Sequence, residues 1–302
     1  VDGAPFQRAG HLIAEHRGPG PKVLLIGHLD TVFEPTSAFQ KFERLNDSTA
    51  TGPGVIDMKG GAVIILHALT ALKEAGALDR MNVTVVFDGD EEEAGRPIAL
   101  ARAALMAAAK GAVAAIGFED GAGDPKSAVV SRRGATSWTL KTGGNEGHAS
   151  QIFNKDIGAG AVFEAARILD QFYTTLSGER YLAFSPGLVL GGTTITLDST
   201  GTEGSAAGKT NVVSQRLVVT GDMRTVSPEQ LARTMAAMRE IVSHHLPGTT
   251  AEISFDPDGY PPRAPSAGNL RRFSFYDRAS RDIGAGPVVA VDWGPWAGSG
   301  MV

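Results

Sequence analysis

Histidine and carboxylate side chains gather behind three apolar runs in the first 120 residues of this chain. His28 and Asp30 follow KVLLIG, Asp90 to Glu93 follow NVTVVF, and Glu119 and Asp120 follow VAAIGF. Asp57 sits in GPGVIDMKGG, just ahead of a helical pattern. The stretch FDGDEEEAG crowds its carboxylates together, and such groups repel one another and are costly to desolvate. Either this turn faces water or cations hold it. The chain has no cysteine, so any metal here must use His, Asp and Glu. Oxygen and imidazole ligands suit a hydrolytic zinc site or a two-metal site, where a carboxylate bridges ions about 3.5–4 Å apart. Adjacent glutamates can divide the labour, one binding metal while its neighbour takes a proton from water. On a regular strand they would point to opposite faces, so the pair must lie on a turn or bulge. Each signal is weak alone: HxD is common by chance, and an acidic turn is more often simply solvated. Their shared placement behind successive strands points to one site.

The elements that must position these groups alternate between strand and helix patterns over the first third of the chain. Strands are expected at 22–27, 82–87 and 113–118, and helices at 61–76 and 96–111. This β-α-β-α-β order predicts a mostly parallel sheet flanked by helices, with ligands outside the carboxyl ends of its strands. The texture then changes. A half-buried strand at 135–144, a helix at 156–176, strands at 188–198 and 211–225, a helix at 227–246 capped by Ser227, and a strand at 250–256 give the order βαββαβ, the split-βαβ pattern. The α/β chain is thus expected to carry an inserted ferredoxin-like α+β domain. Residues 1–132 and 259–302 form the two parts of the outer domain and 133–258 the insert. In the second part, 269–284 reads as a helix and 287–294 as a strand.

Composition excludes some partners. Lys+Arg 28 against Asp+Glu 33 gives a formal charge of −5, and no basic run is present. No nucleic acid is expected as a partner. No apolar stretch reads as long enough to cross a bilayer, so no membrane is expected either. The absence of cysteine rules out disulfides without identifying a compartment.

GHLDTVF, GPGVIDMKGG and GDEEEAG together resemble the zinc-dependent amidohydrolase family of carboxypeptidase G, acetylornithine deacetylase and succinyl-diaminopimelate desuccinylase. The resemblance covers nearly the whole chain, and the insert resembles that family's dimerisation domain. It implies two zinc ions per subunit, a homodimer formed through the insert, and small peptides or N-acyl amino acids as substrates. It implies His28 as a zinc ligand oriented by Asp30, Asp57 as the bridging ligand followed by a cis peptide to Met58, Glu91 as general base and Glu92 as ligand of the other zinc. Glu119 resembles the remaining carboxylate ligand, with Asp120 as the alternative, and Glu93 is a bystander. His148, in NEGHASQ, falls where the family has a histidine that reaches the partner subunit's active site and helps hold the oxyanion. Arg224 in GDMRT and Asn211 in KTNVV match positions that contact the substrate carboxylate; a surface salt bridge and a turn residue are their structural alternatives.

The implied reaction is amide hydrolysis. The wording of the motifs sits closest to carboxypeptidases that release a C-terminal amino acid such as glutamate, with N-acyl amino acid deacylases next. The pattern also departs from the family. Its last metal ligand is a histidine near the C-terminus, and here none of the seven histidines follows His245. The Gly-rich substrate loop and final strands are not legible, and the chain starts at Val1. A fragment is therefore expected, binding one metal more tightly than the second, weakly active, and exposing apolar sheet edges. A catalytically inactive dimeric homologue is one alternative, and an unrelated α/β binding protein with a solvated acidic turn is another.

Overall fold

The runs KVLLIGH and NVTVVFD lie side by side at the centre of a four-stranded sheet in the computed structural model, which describes residues 9–119, 124–198 and 200–291. In chain order the first elements are β1 (Leu12–His16), β2 (Lys22–His28), the short pair β3 (Glu43–Arg44) and β4 (Ala50–Thr51), a π-type turn over Val55–Lys59, and α1 (Gly60–Glu74). There follow β5 (Asn82–Asp88), α2 (Ile98–Ala101), α3 (Ala103–Ala109), β6 (Ala112–Gly117) and β7 (Ser127–Val129). The sheet order is β1-β5-β2-β6. β2 runs parallel to both β5 and β6, as the alternating pattern requires, and β1 adds an antiparallel edge that the sequence reading does not include. Leu25, Val83, Val85 and Phe87 pack with Ile65 of α1 on one side, and Leu24 and Val86 with Ala108 of α3 on the other. Two covered faces explain why β2 and β5 are continuous apolar runs rather than alternating ones.

The helix expected at 96–111 is interrupted: Arg102 leaves helical geometry between α2 and α3. Joined to the π-type turn, α1 makes a run Val55–Glu74 with mean hydropathy 1.6, long and apolar enough to cross a membrane by length and composition. That corrects the expectation that no such stretch exists. In this fold the run carries Asp57 and packs Gly61 and Ile65 inward, while Val63, Ile64 and Leu66 stay exposed.

The chain divides into two compact units: residues up to Val129 with Leu270–Val291, and Val130–Asn269. The second unit contains β8 (Gly134–Gly144), α4 (Gly160–Leu176), β9 (Ala183–Gly192), β10 (Thr194–Leu197), β11 (Gly204–Ala207), β12 (Arg216–Thr225), α5 (Pro228–Ser243) and β13 (Thr249–Phe255). Its sheet is antiparallel, in the order β13-β8-β12-β9, which is the ferredoxin-like arrangement of a split βαβ pair. The β10–β11 hairpin is an addition to it. The unit extends beyond 133–258 because Arg132 pairs with Arg263 and Ala135 with Tyr260, which ties residues 260–263 back to the start of β8. Trp138, Leu140, Ile168, Phe172, Val219, Met223, Met238 and Val242 form its core. Trp138 meets Phe172 edge to face at 6.0 Å. Gly221 is required beneath the Trp138 ring, since a Cβ there would lie 2.4 Å from it. Ser227 caps α5 by accepting from Gln230 N at 3.1 Å. Finally α6 (Ala267–Asp282) leads to β14 (Val289–Val291), which pairs parallel with β7; residues 292–294 of the expected last strand lie outside the described residues.

Candidate metal centre

β2 and β5 end level with one another, His28 opposite Asp88, so the segments leaving the two strands emerge at the same carboxyl edge. β6 ends beside them, and Phe118 N donates to Ile26 O. The Val55–Lys59 turn closes the group from the α1 side. Its Met58 is fully buried, with Sδ accepting from His28 N at 3.1 Å. The Asp57–Met58 peptide is cis, as the family resemblance implies. Gly61 allows the approach of α1, since a Cβ there would sit 1.9 Å from Phe118 O.

The buried His28 is the hub. Its Nε2 lies 2.9 Å from Asp57 Oδ1, 3.4 Å from Glu119 Oε1 and 3.9 Å from Glu91 Oε2. Its Nδ1 faces Asp30, 3.1 Å from the carbonyl and 3.3 Å from Oδ1. Asp30 Oδ2 in turn accepts from Glu92 N at 2.9 Å, so one carboxylate spans the imidazole and the acidic turn. Glu91 and Glu92 do lie on a turn after β5. Glu91 is buried, Glu92 half-buried and Glu93 exposed, which separates the bystander from its two neighbours.

The electrostatics show a site holding more negative charge than it can neutralise. Burial pushes the Glu91 carboxyl up to about 8, against the pull of His28, and the Glu119 and Glu92 carboxylates add to the shift. Burial also raises Glu92 and Glu119, with Asp57 contributing to both. On His28 burial opposes the charge, yet the Glu119 and Asp57 carboxylates bonded to it carry its pKa to about 10. A divalent cation would reverse each of these directions by stabilising the ionised carboxylates and neutral imidazole. His28, Asp57 and Glu119 each offer a ligand atom, all within 4.8 Å of one another, so these three can hold a metal ion. Glu92 Oε1 is buried with no hydrogen-bond partner, as a ligand awaiting a cation would be. The donor set fits a hard or borderline divalent metal.

Asp120 lies outside the described residues, and Glu119 is the carboxylate that reaches His28. His148, Asn211 and Arg224 belong to the second unit. The segments bearing His148 and Asn211 are paired there: His148 bridges Val212, and Ala149 N donates to Asn211 O at 2.9 Å. His148 Nδ1 lies 2.8 Å from Ser150 Oγ, and Arg224 Nε donates to Asp222 Oδ2 at 2.6 Å. Sequence reasoning passes over three residues beside the acidic turn, His11, Asp88 and Arg102. Asp88 lies in plain view in FDGDEEEAG, but nothing in local spacing marks His11 or Arg102.

A mostly parallel α/β sheet with a His–Asp–Glu cluster that could hold a metal ion at its carboxyl edge, in a unit interrupted in sequence by a ferredoxin-like insert, defines an α/β protein with a candidate metal site. The chain belongs to peptidase family M20/M25/M40, whose family model matches residues 24–293. A curated relative, carboxypeptidase G2 of Pseudomonas sp. (strain RS-16), is 39% identical over 84 residues, which is 28% of this chain and 20% of the relative's length. Among solved structures, a tripeptidase from Staphylococcus aureus matches with TM-score 0.67 at 18% identity, over 94% of this chain and 71% of that one. The aminopeptidase PepT from Bacillus cereus matches with TM-score 0.68 at 18% identity, over 95% and 71%. A dinuclear metal-binding peptidase of family M20 from Bacillus subtilis matches with TM-score 0.61 at 16% identity, over 94% and 70%. At these identities the likeness is one of fold.

Proposed function

We propose that this protein is a zinc-dependent amide hydrolase that releases a C-terminal amino acid, glutamate foremost, from small peptides or related N-acyl compounds. The convergence of His28, Asp57 and Glu119 beside the buried Glu91 carries the reading. His28, Glu119 and Asp57 would hold one zinc, and Glu92 with Asp57 would begin a second site. Bound zinc would make a water acidic near neutral pH and draw electrons from the scissile carbonyl. Glu91, within 3.9 Å of His28 and raised in pKa by burial, accepts the proton of the attacking water and returns it to the leaving amine nitrogen. Asp30 keeps the His28 ring oriented from its Nδ1 side. In the second unit, Arg224 and Asn211 would bind the substrate carboxylate and His148 would help hold the oxyanion in a homodimer.

The carboxypeptidase preference rests on the relative that matches over 84 residues, carboxypeptidase G2. A screen of zinc-loaded protein against C-terminal-glutamate peptides and N-acyl amino acids tests it. Faster turnover of the glutamate peptides is expected. Turnover of N-acyl amino acids alone would make it a deacylase instead, and no turnover of either, with zinc bound, would mark an inactive homologue.

A further inference from the structure

Beside the acidic turn lies a chain of charged groups with no part in the proposed catalysis. His11, just ahead of β1, places Nε2 3.1 Å from Ala101 O, at the end of α2. A carbonyl only accepts, so Nε2 carries a proton. The other nitrogen, Nδ1, accepts from Gly89 N at 3.4 Å and lies 3.0 Å from Asp88 Oδ1, to which it makes no hydrogen bond. Arg102, at the break between α2 and α3, approaches Asp88 Oδ2 at 3.7 Å through Nε. Its other nitrogens donate to Asp90, at 3.0 Å to Oδ1 and 3.1 Å to the carbonyl. Asp90 Oδ2 then accepts from Gly95 N at 3.2 Å, closing the turn on itself. The His11, Asp88, Arg102 and Asp90 side chains are all largely buried. Gly89 is pressed against the same segment: a Cβ there would stand 2.2 Å from Gly10 O.

We infer that His11 and Arg102 are positioning residues: through Asp88, Gly89 and Asp90 they brace the start of the turn and so fix where Glu91 and Glu92 present their carboxylates. The inference rests on the reading of Glu91 as base and Glu92 as ligand. Its physical basis is that two separate segments, the approach to β1 and the α2–α3 break, meet at the start of a turn whose like charges would otherwise drive it open. The Arg102 fork suits this, because a planar guanidinium can hold two partners in fixed directions where an ammonium cannot. The guanidinium that reaches Asp90 belongs to the residue at which the expected helix is interrupted.

The test compares His11→Ala, His11→Gln, Arg102→Lys and Glu91→Gln in the zinc-loaded full chain. Zinc affinity is read by chelator competition, and kcat and KM are read on the substrate found in the screen. His11→Ala and Arg102→Lys are expected to weaken zinc about 10-fold or more, as loss of a partner behind a ligand does. They should also lower kcat about 100-fold, as a misplacement of about 1 Å does, with KM within about twofold of the parent. His11→Gln, which can still donate to Ala101 O, should recover most of both. A merely structural role would lower the melting temperature without moving zinc affinity or kcat measured well below it. Unchanged zinc affinity and kcat in both His11→Ala and Arg102→Lys overturn the inference. Should His11→Ala fail to fold, Arg102→Lys decides by the same two readouts. Glu91→Gln separates the two levels: if it keeps full activity the base assignment fails, and the brace is then judged on zinc affinity alone.

Discussion

At the residue scale, neighbouring glutamates acquire different work from a difference in burial. Glu91 is enclosed, Glu92 half-enclosed, and Glu93 open to water. Burial lifts both carboxyls toward neutrality, and the more enclosed Glu91, carried to about 8, is the better placed to exchange a proton with water near neutral pH. Glu91→Gln is isosteric and removes the base alone. It is expected to lower kcat by about 10²–10⁴-fold, the usual worth of a positioned general base, while zinc uptake by elemental analysis stays at the parent value. Loss of zinc together with activity would place Glu91 among the ligands. These roles are half legible in the sequence. Residue types placed behind successive strands suggest a carboxylate-rich metal site, the family resemblance implies the roles of His28, Asp57, Glu91, Glu92 and Glu119, and the brace from His11 joins residues whose separation along the chain leaves no local pattern.

At the scale of elements, two contacts set the geometry. α1 meets the end of β6 through Gly61, where only hydrogen fits against Phe118 O. Gly61→Ala must push the helix from the sheet, taking Asp57 away from Glu119. A loss of about 3 kcal/mol is expected from forcing a methyl into a filled space, measured by chemical denaturation, with zinc affinity falling alongside. The second contact is in α4. Glu164 is fully buried; burial opposes its ionisation, but Arg167, 2.6 Å away, and Leu246 N, donating at 2.9 Å, outweigh it and hold its pKa below 4.5. A carboxyl lower in the folded than in the unfolded state contributes stability that is present above its unfolded value and lost as pH falls through the folded one. The melting-temperature gap between the parent and Glu164→Gln is therefore expected to be full near neutral pH and to close as the medium is acidified through the carboxylate range. A gap independent of pH would show that packing, not charge, is at stake.

At the scale of the whole molecule, each unit has its own core, one built on Ile65 and Phe87 and the other on Trp138 and Phe172. Among the described residues only the first carries the His28 cluster. Zinc should therefore raise the melting of the first unit alone, by about 2.7 kcal/mol at about a hundredfold excess over its dissociation constant, and a chelator should reverse it. Differential scanning calorimetry with two transitions, one of them sensitive to zinc, is the expected record; equal shifts in both would mean that the units unfold together. The exposed Val63, Ile64 and Leu66 on α1 and Val113 and Ile116 on β6 also predict self-association of this chain, growing with concentration in light scattering.

The parallel strands β2, β5 and β6 were open to reading because burial on two faces demands continuous apolar runs, and the split βαβ pair leaves its periodicity in residues 134–255, whereas the β1 edge was not. The acidic turn and the HxD pair, each weak alone, pointed to one site only through their shared placement behind successive strands, which left a solvated turn or a cation site as the choices. The tertiary structure alone could decide which carboxylates reach His28, that Arg102 breaks the helix expected at 96–111, and that the approach to β1 brings His11 beside the turn. Such contacts join residues 29 to 91 positions apart, and distance along a chain carries no information about who meets whom until the sheet has formed.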